Sequence, residues 1–331
     1  MTSTTTSTTM RAVTQDRYGG AEVLRVTDVA RPLVGDHEVL VRVSAAGLDR
    51  GTQHLMTGTP YAVRLALGLR RPRQPIAGRD VAGTVAQVGS AVTRFAVGDE
   101  VYGMAGGSFA EYAVAREAKL APKPATLSFA QAAVVPISAG TALQALVDAG
   151  RVQADQSVLV IGASGGVGTY AVQLAKAFGA DVTGVCSAAK LDLVTSLGAD
   201  RVLDYRHDDF ANGSRRYDLI LDIGGGASLG RLRRALAPRG TVVFVGSENG
   251  GNLTGLGRPM RGALLSPFLR QRLVMLMAKE RATDLETLTG LIDSGRIVPS
   301  LDRGYPLDAV PEAMRRLENG QVLGKVAITV A

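Results

Sequence analysis

The stretch Ile161-Gly162-Ala163-Ser164-Gly165-Gly166-Val167-Gly168 is the part of this chain whose spacing speaks most directly of chemistry. It is the fingerprint G-x-G-x-x-G with Ala163 in the first glycine place, followed by Gly165 and Gly168. Glycine at 165 lets the main chain approach a pyrophosphate, and glycine at 168 lets a helix pack tightly on the strand before it. The unpaired N–H groups at the helix start then attract the anion. The backbone of Ser164, Gly165, Gly166, Val167 and Gly168 is the expected cradle. Such turns also occur as plain tight connections, but here strand, turn, helix and second strand arrive in the required order. The end of the second strand selects the dinucleotide. An acid there would accept from the ribose hydroxyls of NAD, and Val185-Cys186-Ser187-Ala188-Ala189-Lys190 contains none. Ser187 can donate a hydrogen bond, Lys190 can offer a point charge to a 2′-phosphate, and Tyr205 can add a hydroxyl. NADP (as NADPH) is the expected cofactor; the bland alternative makes Lys190 a solvated residue in a first helical turn.

The elements around this turn follow from hydrophobic period. Val39–Val43 alternates as a strand, Val81–Val88 less cleanly, and Ser128 reads as the N-cap of a helix. From Arg151 the rhythm becomes strand, helix, strand. Val158–Ile161 is a short apolar run of the kind buried on both faces, and a helix over Val167–Phe178 stops at Gly179. Strands over Asp181–Val185, Arg201–Leu203, Leu219–Leu221 and Thr241–Val245 alternate with helices over Lys190–Leu197 and Ser228–Leu236. Repeated βα units imply a doubly wound parallel sheet. Helices over Leu264–Ala278 and Asp284–Ser294, a strand at Ile297–Val298, a helix over Leu307–Glu318 and a strand over Lys325–Val330 complete the pattern. Leu265, Phe268, Leu269, Leu273 and Leu276 would share one face of the first of these, as core packing before any cleft or dimer seam.

Composition narrows the class. A chain of 331 residues that is 46% apolar buries a large core and suggests two domains. No apolar run spans a bilayer uninterrupted, since Ala132–Val147 carries Pro136 and Gly140. The Thr- and Ser-rich residues 1–10 read as a disordered tail without the marks of a secretory signal, which points to a cytoplasmic protein without a membrane partner. The single Cys186 excludes an internal disulfide and multi-cysteine metal sites. A net charge of +7 invites nucleic acid, but the arginines are scattered and aromatics make up only 5%. A basic solvated surface accounts for the charge, and no nucleic-acid partner is expected.

Several stretches together resemble the medium-chain dehydrogenase/reductase superfamily over nearly the whole chain. They are Glu38–Gly47, Gly78–Gly83, Gly98–Gly103, Ser108–Tyr112, Ala163–Gly168 and Gly324–Val330. The resemblance implies a Rossmann doubly wound sheet over residues 128–274. It also implies a GroES-like β-rich catalytic domain built from residues 11–127 and 275–331, and a cofactor cleft between the two. Departures from the zinc-using relatives are informative. Asp49 stands in a ligand-cysteine place, Gly78-Arg79-Asp80 in the Gly-His-Glu triplet, and Ala133–Ala139 has no cysteine. Two aspartates flanking a guanidinium cannot supply a zinc tetrahedron, so no metal site is expected and the chain is similar to the zinc-free, quinone oxidoreductase-like branch. Arg79 and Asp80 are expected to pair and plug the vacated site.

The resemblance places His54 beside the nicotinamide, either as a proton donor to reduced substrate or as a half-buried loop histidine. Asp49 either meets a ribose hydroxyl or orients His54, or is a turn carboxylate beside Arg50. Tyr61 is a candidate donor to a substrate carbonyl, with simple packing as its alternative. Thr141 and the strand end Val245-Gly246-Ser247 resemble positions near the nicotinamide, and Lys325 a weaker cofactor contact. The expected activity is hydride transfer from NADPH to a quinone or activated alkene, an enone or enal. Alternatives are a biosynthetic enoyl reductase taking a large or carrier-bound substrate, for which the basic Arg64–Arg73 loop would meet an acidic partner, and an NADPH-binding regulatory protein without turnover. A small-molecule substrate and a homodimer are the expected partners.

Overall fold

The computed structural model describes residues 8–246 and 257–330. A hairpin of β1 (Thr9–Thr14) and β2 (Arg25–Ala30) leads into the strands β3 (Glu38–Leu48), β4 (Asp80–Val88), β5 (Glu100–Met104), β6 (Tyr112–Arg116) and β7 (Leu120–Pro122). Between β3 and β4 lie α1 (Arg50–Thr57) and α2 (Arg64–Leu67); after β7 come α3 (Phe129–Ala132) and α4 (Pro136–Gln144). The parallel strands β8 (Ser157–Ile161), β9 (Asp181–Cys186), β10 (Arg201–Asp204), β11 (Tyr217–Asp222), β12 (Leu236–Phe244) and β13 (Arg272–Met275) then alternate with α5 (Gly166–Ala177), α6 (Leu191–Ser196), α7 (Leu229–Ala235) and α8 (Gly257–Leu265). Last come α9 (Ala282–Asp293), β14 (Leu301–Pro306), α10 (Val310–Glu318) and β15 (Lys325–Thr329).

The parallel sheet has the order β10-β9-β8-β11-β12-β13, which reverses direction at β8, where nucleotides bind in doubly wound folds. The seven-stranded sheet runs β14-β15-β3-β4-β5-β7, with β6 on β3. Its β15 pairs antiparallel with β3, Ala327 opposite Gly47, so the end of the chain closes onto its beginning. One core joins the two sheets: Ala45, Ala82 and Tyr102 of one share a cluster with Val160 of the other and with Leu146 and Tyr170 from the helices between. Phe129–Gly150 is helical, long and apolar enough by composition to cross a membrane, but most of it is buried inside the protein, where it forms this shared core.

Ser128 caps α3 as expected. Its hydroxyl accepts from Gln131 N–H while the Gln131 side chain accepts from Ser128 N–H, a reciprocal capping box. Two expectations fail. The helix read over Leu264–Ala278 ends at Leu265; Ser266–Phe268 forms one tight turn and Arg272–Met275 becomes β13, bonded in parallel to Thr241–Phe244. The proposed stripe does not exist, because a short apolar run such as Leu273-Val274-Met275 serves a strand as well as a helix and the open edge of β12 supplies the hydrogen bonds. No strand forms at Ile297–Val298 either. Ile297 is buried under α9, and the Gln173 side chain bonds both the N–H and the carbonyl of Val298 in place of a ladder.

Candidate active site

A cleft of about 420 Å³ opens between the sheets. One wall is the glycine turn, Gly162 and Ser164 to Val167, with Ile223, Gly224, Val245 and Gly246; the other is Leu48 to Gly51 with His54. Ile137, Ser138, Thr141 and Lys325 also line it, and Lys190, Gly320, Val322 and Gly324 border it.

The turn is shaped for an anion. Gly165 is the N-cap of α5, and Thr169 N–H makes the bond to the Gly165 carbonyl, 2.9 Å, that starts the helix. The N–H groups of the first turn, at Gly166, Val167 and Gly168, are thus left to the cleft side. A Cβ placed on Gly168 would lie 2.1 Å from the Gly162 carbonyl oxygen, so helix and strand touch there. On Gly165 it would find nothing nearer than 3.5 Å, which leaves that face open to a ligand. These residues fit the diphosphate of a dinucleotide.

The opposite wall is built around three buried charges. Lys325 Nζ donates to Asp80 Oδ2 at 3.2 Å and to Asp49 Oδ2 at 3.5 Å, and the three side chains are 1%, 0% and 8% exposed. Asp49 is the N-cap of α1, its Oδ1 accepting from Thr52 N–H at 2.8 Å and from the Thr52 hydroxyl at 3.1 Å. Asp80 Oδ1 accepts from Ile137 N–H, 2.9 Å, in the first turn of α4. The close fit needs glycine at 47, where a Cβ would lie 2.4 Å from the Ala133 carbonyl and 2.8 Å from Asp80. Burial opposes the charge on Lys325, but the two carboxylates outweigh it and hold the ammonium above its usual range. At Asp49 burial is likewise overcome, by Lys325, the Thr52 donors and Arg79, and the carboxyl is held low. Asp80 goes the other way. Burial, with the Asp49 charge added, pushes it up to about 7 against the pull of Lys325 and the Ile137 N–H.

A zinc ion does not fit this donor set. An ammonium already sits between the two carboxylates, and among the described residues no three His, Cys, Asp or Glu side chains converge. The plug is real but its cation is misassigned: Arg79 pairs with Glu280, not with Asp80. Consecutive residues in extended chain point to opposite faces, so Asp80 turns inward as Arg79 turns outward. Lys325, read as a cofactor contact, gives its ammonium to the aspartates and only its stem to the turn, where a Cβ on Gly166 would lie 2.9 Å from Lys325 Cδ.

Of the other expected residues, His54, Asp49, Thr141, Ser164, Gly165, Gly166, Val167, Lys190 and Gly246 line the one cleft, and Gly168 lies beneath it. His54 is half-buried on α1 and its ring makes no hydrogen bond among the described residues. Lys190 Nζ donates to the carbonyls of Gly320, 3.1 Å, and Val322, 2.8 Å, across the cleft mouth. Ser187 is half-buried and Tyr205 is 56% exposed, both outside the cleft lining. Tyr61 is 47% exposed and faces the Arg64 guanidinium, which lies 4.7 Å from its ring centre, so it is brought to surface packing and not to the cleft. Ser247 lies outside the described residues. Sequence reasoning missed Ser138, which is fully buried at the cleft floor, and Arg50, beside Lys190. The N-cap pattern Asp49-x-x-Thr52 was a signal for the start of α1 that went unread.

The raised Asp80 has a consequence for stability. Between pH 4 and 7 the folded chain keeps a proton on Asp80 that the unfolded chain, with its carboxyl at 3.8, has released. Stability tied to this group is therefore present at acid pH and lost as pH rises through about 7, by up to a few kcal/mol. Asp49, held low, has completed its own change below pH 4 and does not oppose this. Urea unfolding at pH 5 and pH 8 is expected to show wild type weaker at pH 8 and Asp80→Asn with a smaller difference; equal pH slopes in both would contradict the assignment.

Residues 35–125 match the family model for an alcohol dehydrogenase GroES-like domain, and residues 197–328 that for a zinc-binding dehydrogenase. The chain is 32% identical over 338 residues to a chloroplastic quinone-oxidoreductase homolog of Spinacia oleracea, covering 96% of this chain and 98% of that protein. It is 33% identical to an NADPH-dependent alkenal/one oxidoreductase, chloroplastic, of Arabidopsis thaliana, covering 96% and 79%. Among solved structures, the quinone oxidoreductase from Coxiella burnetii superposes with a TM-score of 0.85 at 27% identity, over 98% of this chain and all of that one. Two sheets joined at a glycine-cradled cleft define a dehydrogenase/reductase of two-domain build. The chain belongs to the medium-chain dehydrogenase/reductase superfamily, in its quinone oxidoreductase-like branch.

Proposed function

We propose that this protein is an oxidoreductase that uses NADPH to reduce a quinone or an activated alkene, an enone or enal, without a metal. The observation that carries the reading is the cleft itself: a helix start open to a diphosphate on one wall, and on the other an ammonium where metal chemistry would need a Lewis acid. The relatives named above are a quinone oxidoreductase homolog and an alkenal/one oxidoreductase, which are the two acceptor classes of this proposal. NADPH supplies the hydride, and the protein supplies placement and electrostatics. The N–H groups of Gly166 to Gly168 hold the diphosphate, Thr141 and Ser138 offer hydroxyls on the cleft floor, and His54 reaches the acceptor side to deliver the proton that completes C=C reduction. Homodimeric, cytoplasmic operation on a small-molecule substrate is part of the same proposal.

The test is NADPH oxidation followed at its near-ultraviolet band with a panel of quinones and enones. Turnover with either class is expected; binding of NADPH without turnover on any acceptor would leave a regulatory protein instead. A second reading has its own observation. Arg70, Arg71 and Arg73 are exposed on one loop and form no ion pair among the described residues, which suits an acidic carrier. Activity confined to carrier-bound enoyl thioesters would favour it.

Lys190 carries the cofactor preference in this scheme. Two of its protons are directed at carbonyls and the third is available to a 2′-phosphate. NADPH is expected to bind more tightly than NADH by roughly one to two decades, the value of a charge-assisted contact. Lys190→Ala should narrow that gap. Equal affinities for the two cofactors in the wild-type protein would remove Lys190 from the assignment.

A further inference from the structure

Three helices present their first turns to the cleft, and all three meet at one side chain. Asp49 caps α1, which carries Arg50, Gly51 and His54 into the cleft. Asp80 bonds the Ile137 N–H of α4, which brings Ser138 and Thr141. Gly166 opens α5, and the Lys325 stem lies against it. Between the two carboxylates stands the Lys325 ammonium, 1% exposed, from a residue 276 positions beyond Asp49 and 245 beyond Asp80. The neighbouring Gly324 N–H donates to the Ser164 carbonyl at 3.2 Å, a second tie between β15 and the glycine turn.

We propose that Lys325 is a positioning residue: its buried ammonium fastens the starts of α1 and α4 to the glycine turn of α5, and so sets where the nicotinamide end of the cofactor lies relative to the acceptor. The inference rests on the function proposed above and adds to it a residue that touches no reacting atom. Its chemistry follows from the surroundings. A carboxylate without a cation is costly in a dry site, so Asp49 and Asp80 stay where they are only while the ammonium holds them. When it is removed, each cap is free to turn toward water or take up a proton, and the first turns of α1 and α4 shift independently of α5. The adenosine and diphosphate contacts lie on the α5 side and are spared.

Removing Lys325 alone strands two carboxylates and threatens the fold. The variant to read is therefore the double change K325M/D80N. With both carboxyls ionised the native triad carries one net negative charge, and the double variant carries the same, on Asp49. The amide introduced by Asp80→Asn keeps an oxygen for Ile137 N–H. Three measurements are made on this variant and on wild type, beside turnover itself: thermal midpoint, NADPH affinity by fluorescence, and hydrogen exchange with and without NADPH. The expected result is a midpoint near wild type and an NADPH dissociation constant within about threefold. Turnover should fall by roughly 10- to 100-fold, the cost of a small misplacement of the reacting groups. NADPH should still protect amides at 164–169 but lose its protection of 50–54 and 137–141. Wild-type turnover with unchanged protection at all three segments would overturn the proposal. So would loss of the fold in this charge-matched variant, since Lys325 would then be holding the structure as a whole. Absence of NADPH binding or turnover in the wild-type protein would instead count against the proposed function, and the two failures are distinct.

Discussion

Gly168→Ala is expected to yield little or no folded protein, whereas Gly165→Ala should fold normally and bind NADPH poorly. The two glycines stand three residues apart in the same turn, and the difference is a matter of what a methyl group would strike. At 168 the added carbon falls 2.1 Å from the Gly162 oxygen and 2.7 to 2.8 Å from the backbone of Ala163. These are main-chain atoms of a buried turn and cannot rotate away. Either α5 separates from β8, exposing a core that includes Ala171 and Val160, or the chain does not fold. A displacement of that kind costs on the order of several kcal/mol, a large part of a typical domain's stability. At 165 the same methyl meets nothing inside 3.5 Å, on a backbone at φ −83° that alanine accepts. It occupies instead the space where the diphosphate approaches. Soluble yield, circular dichroism and NADPH titration of the two variants check this, and a stable, NADPH-binding Gly168→Ala would contradict the packing account.

The glycine turn was legible because every part of it is local. Strand, turn and helix follow one another without a break in the chain, and backbone sterics tie residue type to position. The βα rhythm from Val158 to Val243 was readable for the same reason, and so was the capping serine at 128. The charged centre was not. Asp49, Asp80 and Lys325 come from β3's end, β4's start and β15's start, brought together only because β15 pairs with β3 and β3 with β4. No spacing rule links residues so far apart. A lysine only 1% exposed contradicts the ordinary expectation for its type and gives no local sign of it. The residue types do show that the former metal position needs a plug, but the nearest cation in the sequence, Arg79, is the wrong one. Arg79 stands just before β4 and its side chain turns away from Asp80 to meet Glu280.

The return segment shows a different limit. Leu264 to Ala278 is apolar enough for a helix, and nothing within it says that β12 has an unfilled edge. What decides is tertiary: Val242 and Phe244 lie opposite Leu273 and Met275 in a parallel ladder, the Phe244 carbonyl accepts from Leu276 N–H, and a strand there completes the sheet. After β13 the chain continues through α9 to β14 and β15, and the pairing of β15 with β3 brings Lys325 to the cleft. The strand that carries Lys325 was itself read correctly; what stayed hidden was its partner, β3, and with it the place of the ammonium.

The remaining large effect is expected at His54. It stands on α1 five residues past Asp49, half-buried in the cleft wall, with its ring free of hydrogen bonds to the described residues. An imidazole so placed can give its proton to a reduced acceptor and recover it from solvent. His54→Phe keeps an aromatic ring of similar size and leaves the Asp49 cap, the Thr52 bonds and the Lys325 triad untouched, so the fold and NADPH affinity should change little. Turnover of an enone should fall by roughly 10²- to 10⁴-fold, the usual worth of a positioned acid. The acceptor matters to the design. Hydride added to the β-carbon of an enone leaves an enolate that must gain a proton at the α-carbon, whereas a hydroquinone anion takes its proton from water. The variant should therefore be crippled with enones and nearly normal with quinones. Loss of a packing contact alone would raise KM for both acceptors and leave the chemical step alone. Steady-state turnover of an enone at the wild-type rate in His54→Phe would remove the histidine from the reaction and leave it a spectator in the wall.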